Sequence, residues 1–199
     1  MNLRFLLPML AISTICLAQD KILTRYNATI SAEITGEGTA TVNYRKTDVP
    51  GNSYVIDKGD IKEIQFGDGR KSEFPTDIFE KLTIAETEAR ITKIISEKAV
   101  DNAKDLTAIK AAFVQGKLVV SGGTVNEGAY DFKDVKSFPP VGKKEGDRAN
   151  VSVWLMGADK VTSSKFEKRR LILLVQGQDA AFELYNLMKH LNNALKAQK

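Results

Sequence analysis

Between residues 22 and 74 apolar and polar positions alternate with period two, and turn residues interrupt the alternation at short intervals. Ile30, Ala32 and Ile34 alternate with Thr29, Ser31 and Glu33; Gly36-Glu37-Gly38 breaks the run; Ala40, Val42 and Tyr44 then alternate with Thr39, Thr41, Asn43 and Arg45. Successive side chains of a strand point to opposite faces, so this pattern predicts a hairpin with one buried face. Asp48-Val49-Pro50-Gly51-Asn52 predicts the next turn, Tyr54 and Ile56 a short strand, Lys58-Gly59-Asp60 a third turn, and Ile61, Ile64 and Phe66 a further strand. Gly67-Asp68-Gly69 closes one more hairpin into residues 70–74. Strands this short and numerous are expected to close as a small barrel, because closure removes exposed edges.

The alternation stops at Pro75-Thr76-Asp77, which is the expected domain boundary. Ile84, Ile91, Ile95, Leu106, Ile109 and Phe113 fall on one face at about 100° per residue. They predict one long helix or two across residues 77–114, with Thr76 or Asp77 as N-cap, a break at Asp101-Asn102 and Gly116 as the stop. Strand patterning returns with Leu118-Val119-Val120, with Tyr130 and Phe132, and with Val151, Val153 and Leu155. Leu171-Ile172-Leu173-Leu174-Val175 is continuously apolar and predicts a central strand buried on both faces. Over it the sequence places a last helix at residues 180–196, capped by Asp179, whose Ala181, Leu184, Met188, Leu191 and Leu195 form an apolar stripe. The expected fold class is therefore α+β and β-rich. A small β-barrel-like module at residues 19–75 precedes an α+β module at residues 76–199, which holds a helical segment, an antiparallel sheet and a C-terminal amphipathic helix.

Two resemblances follow from these residues. Asp20-Lys21-Ile22, Ala32-Glu33-Ile34, Val42-Asn43-Tyr44-Arg45-Lys46, Tyr54-Val55-Ile56 and the run from Asp60-Ile61-Lys62 to Gly67-Asp68-Gly69 resemble a small secreted β-domain common in Gram-negative bacteria, similar in shape to Src-homology-3-type barrels. The shared motif is a strand ending in an acid-aliphatic-Lys step and an acid-Gly turn, and it implies no catalytic residue. Tyr26-Asn27 departs from it, standing where such domains often have Asn-Gly. From residue 117 onward the order of strands and one amphipathic helix resembles the pleckstrin-homology-like architecture. No phosphoinositide-type basic signature accompanies it, so the resemblance implies a fold and no ligand.

The first residues change the picture of where the chain works. Arg4 precedes an apolar run at residues 5–15 that is too short for a stable membrane anchor, and Cys16-Leu17-Ala18 offers small residues at the positions a signal peptidase inspects. A signal peptide at residues 1–18, cleaved after Ala18, is expected, with export to the periplasm or medium. The alternative is a lipoprotein anchored at Cys16, although Ile15 and Ser13 stand where such signals prefer a small residue and Leu. Cleavage removes the only cysteine, so a disulfide or thiolate metal site is excluded from the mature chain. The formal net charge of the full chain is +4, falls by one with Arg4, and is spread over every segment. Nucleic acid is not an expected partner.

Candidate chemistry is thin. His190, the only histidine, falls near Glu183 and Asn186 on the expected solvent side of the last helix, without partners for a catalytic base or metal ligand. The acid pairs Asp57/Asp60, Glu86/Glu88 and Asp131/Asp134 lack calcium-loop spacing, and Asp57, Asp60 and Asp68 sit where turns want acids. Gly142-Lys143-Lys144-Glu145-Gly146 lacks the ending of a phosphate loop. No catalytic, cofactor or metal residue is therefore assigned. The densest basic cluster, Lys160, Lys165, Lys168, Arg169 and Arg170, leads into the central strand, and Phe182 projects from an otherwise polar helix face. Lys165, Lys168, Arg169, Arg170 and Phe182 are the candidate interaction surface. The expected function is an exported, non-enzymatic binding or structural protein of the bacterial envelope that meets another protein or a cell-surface polymer. The alternative is a carrier of lipid or an anionic ligand in the C-terminal sheet-plus-helix module, with anionic lipid as partner.

Overall fold

The computed structural model describes residues 19–101, 107–123, 127–160 and 166–198. The alternating segment forms six strands: β1 (Asp20–Thr24), β2 (Thr29–Glu37), β3 (Thr41–Lys46), β4 (Ser53–Asp57), β5 (Ile61–Gln65) and β6 (Lys71–Glu73). All neighbours are antiparallel, in the order β4-β3-β2-β1-β5-β6. The expected barrel does not close: this sheet is open, with β4 and β6 as its edges. One short 3₁₀ turn, Lys58–Asp60, joins β4 to β5 although three strands stand between them, so the sheet curls strongly. That turn spans the gap where a closing ladder would run.

The hairpin pattern is visible in the register, with Ile34 opposite Tyr44 and Val42 opposite Ile56. Ile22, Ala32, Val42, Tyr44, Ile61 and Ile64 are buried together, with Ile30, Ile34, Tyr54, Ile56, Phe66 and Phe74 packed around them. Each fully buried aliphatic contributes about 1.5–3 kcal/mol. Gly51 (φ 96°) and Gly69 (φ 89°) occupy turn positions that disfavour any side chain.

The second half begins with α1 (Ile84–Lys98) and β7 (Ala99–Asp101). Next come β8 (Lys110–Val114), β9 (Lys117–Ser121) and β10 (Gly128–Tyr130), which form a three-stranded sheet. β11 (Val135–Ser137), β12 (Gly142–Lys143), β13 (Arg148–Lys160) and β14 (Phe166–Gln176) follow, and α2 (Gln178–Ala197) comes last. The larger sheet runs β11-β13-β14-β7, with β12 also on β13. β14 is central, and Leu171, Leu173, Leu174 and Val175 are all buried. α2 covers β13 and β14 and packs on α1. Its Leu184, Leu187, Met188 and Leu191, together with Ile91 and Ile95 of α1, lie in one buried cluster with Leu171, Leu173 and Val175.

The long helix across residues 77–114 is corrected. Among the described residues of that span only Ile84–Lys98 is α-helical, and its N-cap is Thr83 rather than Thr76 or Asp77. The Thr83 hydroxyl accepts from the Glu86 N–H while the Glu86 carboxylate accepts from the Thr83 N–H, a reciprocal cap that fixes the start. Ala99–Asp101 instead pairs with β14, and Lys110–Val114 with β9. The expected break at Asp101-Asn102 falls at the end of β7, and Asn102 and Leu106 lie outside the described residues. Asp179 is likewise not the cap of α2. Gly177 takes that position (φ 89°), and Asp147 reaches across to accept the Gln178 N–H at 3.1 Å.

Candidate functional site

α2 presents two faces to the protein. One is the apolar stripe over the sheet. The other is a polar row, Asp179, Asn186 and His190, spaced i, i+7 and i+11 and so aligned along one side of the helix. Each member grips a different piece of the first ninety residues, and together they form a seam.

Asp179 holds the turn between β2 and β3. Its Oδ1 accepts from the N–H groups of Ala40 (2.9 Å) and Thr41 (3.0 Å) and from the Thr41 hydroxyl (2.7 Å), while Oδ2 accepts from the Thr39 N–H (3.0 Å). Burial alone would raise this carboxyl, but the Thr41 hydroxyl and the three N–H groups prevail and hold it below the usual range. Gly38 is required beside it, because a Cβ there would stand 2.3 Å from Asp179 Oδ1.

About two turns further along α2 the seam continues at the other end of the curled sheet. The Asn186 amide donates to Asp57 Oδ1 at 2.8 Å, and the Gly59 N–H donates to the same oxygen at 2.9 Å. Asp57 is buried, and burial pushes its carboxyl up despite those two donors, with the Asp60 charge adding to the rise. Next to it, the Tyr26 hydroxyl donates to Asp60 Oδ1 at 2.9 Å. Tyr185 is raised by its own burial and then by the charges of Asp57 and Asp60, and its ring meets Phe138 edge-on. Of the three acids that the sequence assigns to turns, Asp57 and Asp68 each accept a backbone N–H two residues on, whereas the Asp60 carboxylate takes the Tyr26 hydroxyl; Asp131, to which it assigns no turn role, also accepts a backbone N–H two residues on.

His190 corrects the sequence reading most clearly. It is buried (7 % exposed), not on the solvent side, and so is Asn186. Nδ1 lies 2.7 Å from Asp77 Oδ2 and Nε2 lies 3.1 Å from the Leu82 carbonyl. Both ring nitrogens therefore have an oxygen partner, and the ring is held from two sides. Asp77 Oδ1 meanwhile accepts from the Phe79 N–H at 2.9 Å. The connection between the two halves is thereby pinned to α2 at its start and its end.

In front of this pinned connection lies a cleft of about 630 Å³ lined by Glu73, Phe74, Pro75, Ile78, Phe79, Glu80, Lys81, Leu82 and Arg90. Its walls are apolar, and charges of both signs stand on its rim. The Arg90 guanidinium lies 6.0 Å from the centre of the Phe79 ring, and Arg25 donates to the Phe74 carbonyl and, at 3.0 Å, to that of Gly59. Among the described residues no group of three or more His, Cys, Asp or Glu is placed to hold a metal ion.

The sequence-derived surface divides. Arg170 is exposed and stands opposite Trp154 in the β13–β14 register, its guanidinium 5.0 Å from the indole, with a 3.5 Å bond to the Ser152 hydroxyl. Its neighbours Leu171 and Leu173 alternate toward the core under α2, so Arg170 faces the other side of the sheet. Phe182 is half-buried on α2, three residues after Asp179 and four before Asn186, in line with the seam. Arg170 and Phe182 therefore share no surface. Lys168 and Arg169 lie in β14 opposite Met156 and Leu155, and Lys165 lies outside the described residues. Sequence reasoning missed Asp77, Asp179 and Asn186 as a set, since each is an ordinary polar residue and only helical spacing links two of them to His190. Comparison with protein-family models, with curated proteins and with solved structures gives no match to this chain.

Proposed function

We propose that this is an exported, non-enzymatic binding protein whose ligand site is the cleft at residues 73–90, formed by the end of the curled sheet, the connecting segment and α1. The observation that carries this reading is the pinning of the cleft wall from behind. His190 and Asp77 fix the connecting segment, so Phe74, Ile78 and Leu82 are presented on a braced loop rather than a loose one. Preorganised apolar walls with a mixed-charge rim suit an apolar side-chain cluster of another protein better than a small polar metabolite. The Asp179 and Asp57 carboxyls of the seam are engaged with backbone or amide donors, which is structural work and supports a scaffold rather than a catalyst. The secreted β-domain and pleckstrin-homology-like resemblances belong to the same proposal, as does cleavage after Ala18.

The test is a photo-crosslinking side chain at exposed Lys81 on the rim, with exposed Lys117 on β9 as the remote control. A discrete adduct at Lys81, absent at Lys117 and lost in Ile78→Asp, is expected. No adduct, or one that ignores Ile78→Asp, refutes the site. A second reading keeps anionic lipid as the partner, favoured by exposed Arg170 stacked on Trp154. It places lipid on the sheet face away from α2, because Leu184, Leu187 and Leu191 fill the space beneath the helix. Flotation with anionic vesicles, compared between the protein and Arg170→Glu, decides it.

A further inference from the structure

Tyr26 stands in the β1–β2 turn and is 76 % exposed, more than any other large apolar or aromatic side chain among the described residues. The turn itself is rigid. The Thr24 N–H donates to the Ala28 carbonyl at 2.9 Å and the Ala28 N–H to the Thr24 hydroxyl at 3.1 Å. Asn27 takes the left-handed conformation (φ 61°), and the Arg25 N–H donates to the Asp60 carbonyl at 2.9 Å. The ring is fixed as well, because the Tyr26 hydroxyl donates to Asp60 Oδ1. Small and polar residues serve such turns, so neither burial nor backbone geometry asks for an aromatic here. Asp60 has a second oxygen, and among the described residues no lysine or arginine is ion-paired to it. The cations around it are engaged elsewhere: Arg25 with the carbonyls of Gly59 and Phe74, Lys58 with Glu37 at 2.9 Å, and Lys189 over the Tyr185 ring at 5.1 Å.

The same sheet shows what completes a ring and an aspartate of this kind. At the β5–β6 turn Phe66 and Asp68 are joined by Arg70, whose guanidinium lies 4.6 Å from the centre of the Phe66 ring while its Nε lies 2.6 Å from Asp68 Oδ2. One planar cation there meets a ring and a carboxylate together. The β1–β2 turn has the ring and the carboxylate without the arginine. We propose that Tyr26 and Asp60 form a docking point for an arginine side chain of a partner protein, which stacks on the exposed ring and donates to the second Asp60 oxygen. Ring and carboxylate are already held in place, so little ordering is left to this side of the contact. Neither residue lines the cleft at residues 73–90, so an arginine docks here whether or not that cleft is filled.

Titration of the isotope-labelled protein with the capped pentapeptide Ala-Ala-Arg-Ala-Ala at low ionic strength tests the proposal, read by NMR at the Tyr26 ring and the Asp60 carboxylate. The expected result is a saturable shift at both groups and none at Phe66 or Asp68, whose arginine is already in place. The same peptide with citrulline keeps the shape and loses the charge, and it binds about tenfold more weakly or worse. Tyr26→Leu and Asp60→Asn each weaken the arginine peptide by about fivefold or more and leave the melting temperature near that of the parent. If Asp60→Asn does not fold, Tyr26→Leu, which alters an exposed ring, carries the comparison. Equal binding of the arginine and citrulline peptides overturns the proposal. So do equal shifts at exposed acids elsewhere, such as Glu33 and Glu73, or an affinity that neither substitution changes.

Discussion

Replacing Asp179 by Ala removes one carboxylate that satisfies four donors on a turn nearly one hundred and forty residues away in the chain. Ala40 and Thr41 are buried at 0 % and 1 % exposure, so two of the three orphaned N–H groups have little access to water. Each unsatisfied buried donor costs about 1–3 kcal/mol. Thr39 is exposed and rehydrates, and the carboxylate is itself partly in solvent, which screens its charge. The net expectation is a loss of about 2–4 kcal/mol of unfolding free energy at pH 7, with Asp179→Asn losing less because an acceptor oxygen remains. Gly38→Ala should fail for the same reason, since its Cβ would sit 2.3 Å from Oδ1 and expel the carboxylate. Once Asp179 is Ala the clash disappears, so the double variant should cost clearly less than the two single losses together. Urea titration of the four proteins supplies the cycle. Because the folded carboxyl is held below its usual range, the latch stabilises above the ordinary aspartate pKa and is lost as pH falls through the folded value. The gap between the protein and Asp179→Ala should therefore narrow toward strongly acidic pH. A loss under about 0.5 kcal/mol for Asp179→Ala, or strict additivity with Gly38→Ala, refutes the reasoning.

Two other positions give opposite signs. Asp57 is raised by burial, so the folded state favours its protonated form, and the associated stability is present at low pH and lost as pH rises through the folded pKa. Asp57→Asn keeps an oxygen for the Gly59 and Asn186 donors and should equal or exceed the parent at pH 7 in urea midpoint, with the difference gone near pH 3; a clear loss at pH 7 contradicts the burial argument. His190→Ala should cost about 1–3 kcal/mol, and hydrogen exchange should quicken at Phe79 and Leu82 while the β2–β3 turn is unaffected. Uniform acceleration across the chain would show that His190 does not act on the connecting segment alone.

The period-two segment was legible because its burial is one-sided and each turn carries its own chemistry; residues 22–74 yield their strands directly from the alternation. The central strand and the last helix were legible for the same reason, an uninterrupted apolar run and a clean stripe. Residues 99–114 were not, because Ile109 and Phe113 fit two templates at once. They are four apart, which suits a helix, but with Ala111 between them they also alternate, and the structure uses the alternation. The deciding signal was Gln115-Gly116, both at positive φ (51° and 74°), a two-residue hairpin turn that a helix-stop reading of Gly116 conceals. Barrel closure was over-read because pattern reports strands, not whether the first and last edges meet. The buried side of His190 was hidden because apolar periodicity detects only greasy contacts, and the face of α2 toward the curled sheet is closed by Asp179, Asn186 and His190 instead.

α2 also comes after everything it touches. The sheet at residues 20–73 and the strands beneath the helix are all synthesised before Asp179, Asn186 and His190 exist to engage them. Until those twenty residues arrive, the donors of the β2–β3 turn and the carboxylate of Asp57 have no partners from the helix, and the apolar side of β14 lies open. A chain cut short before residue 178 therefore forfeits both halves' closure together, and such a fragment would be a ready target for proteases.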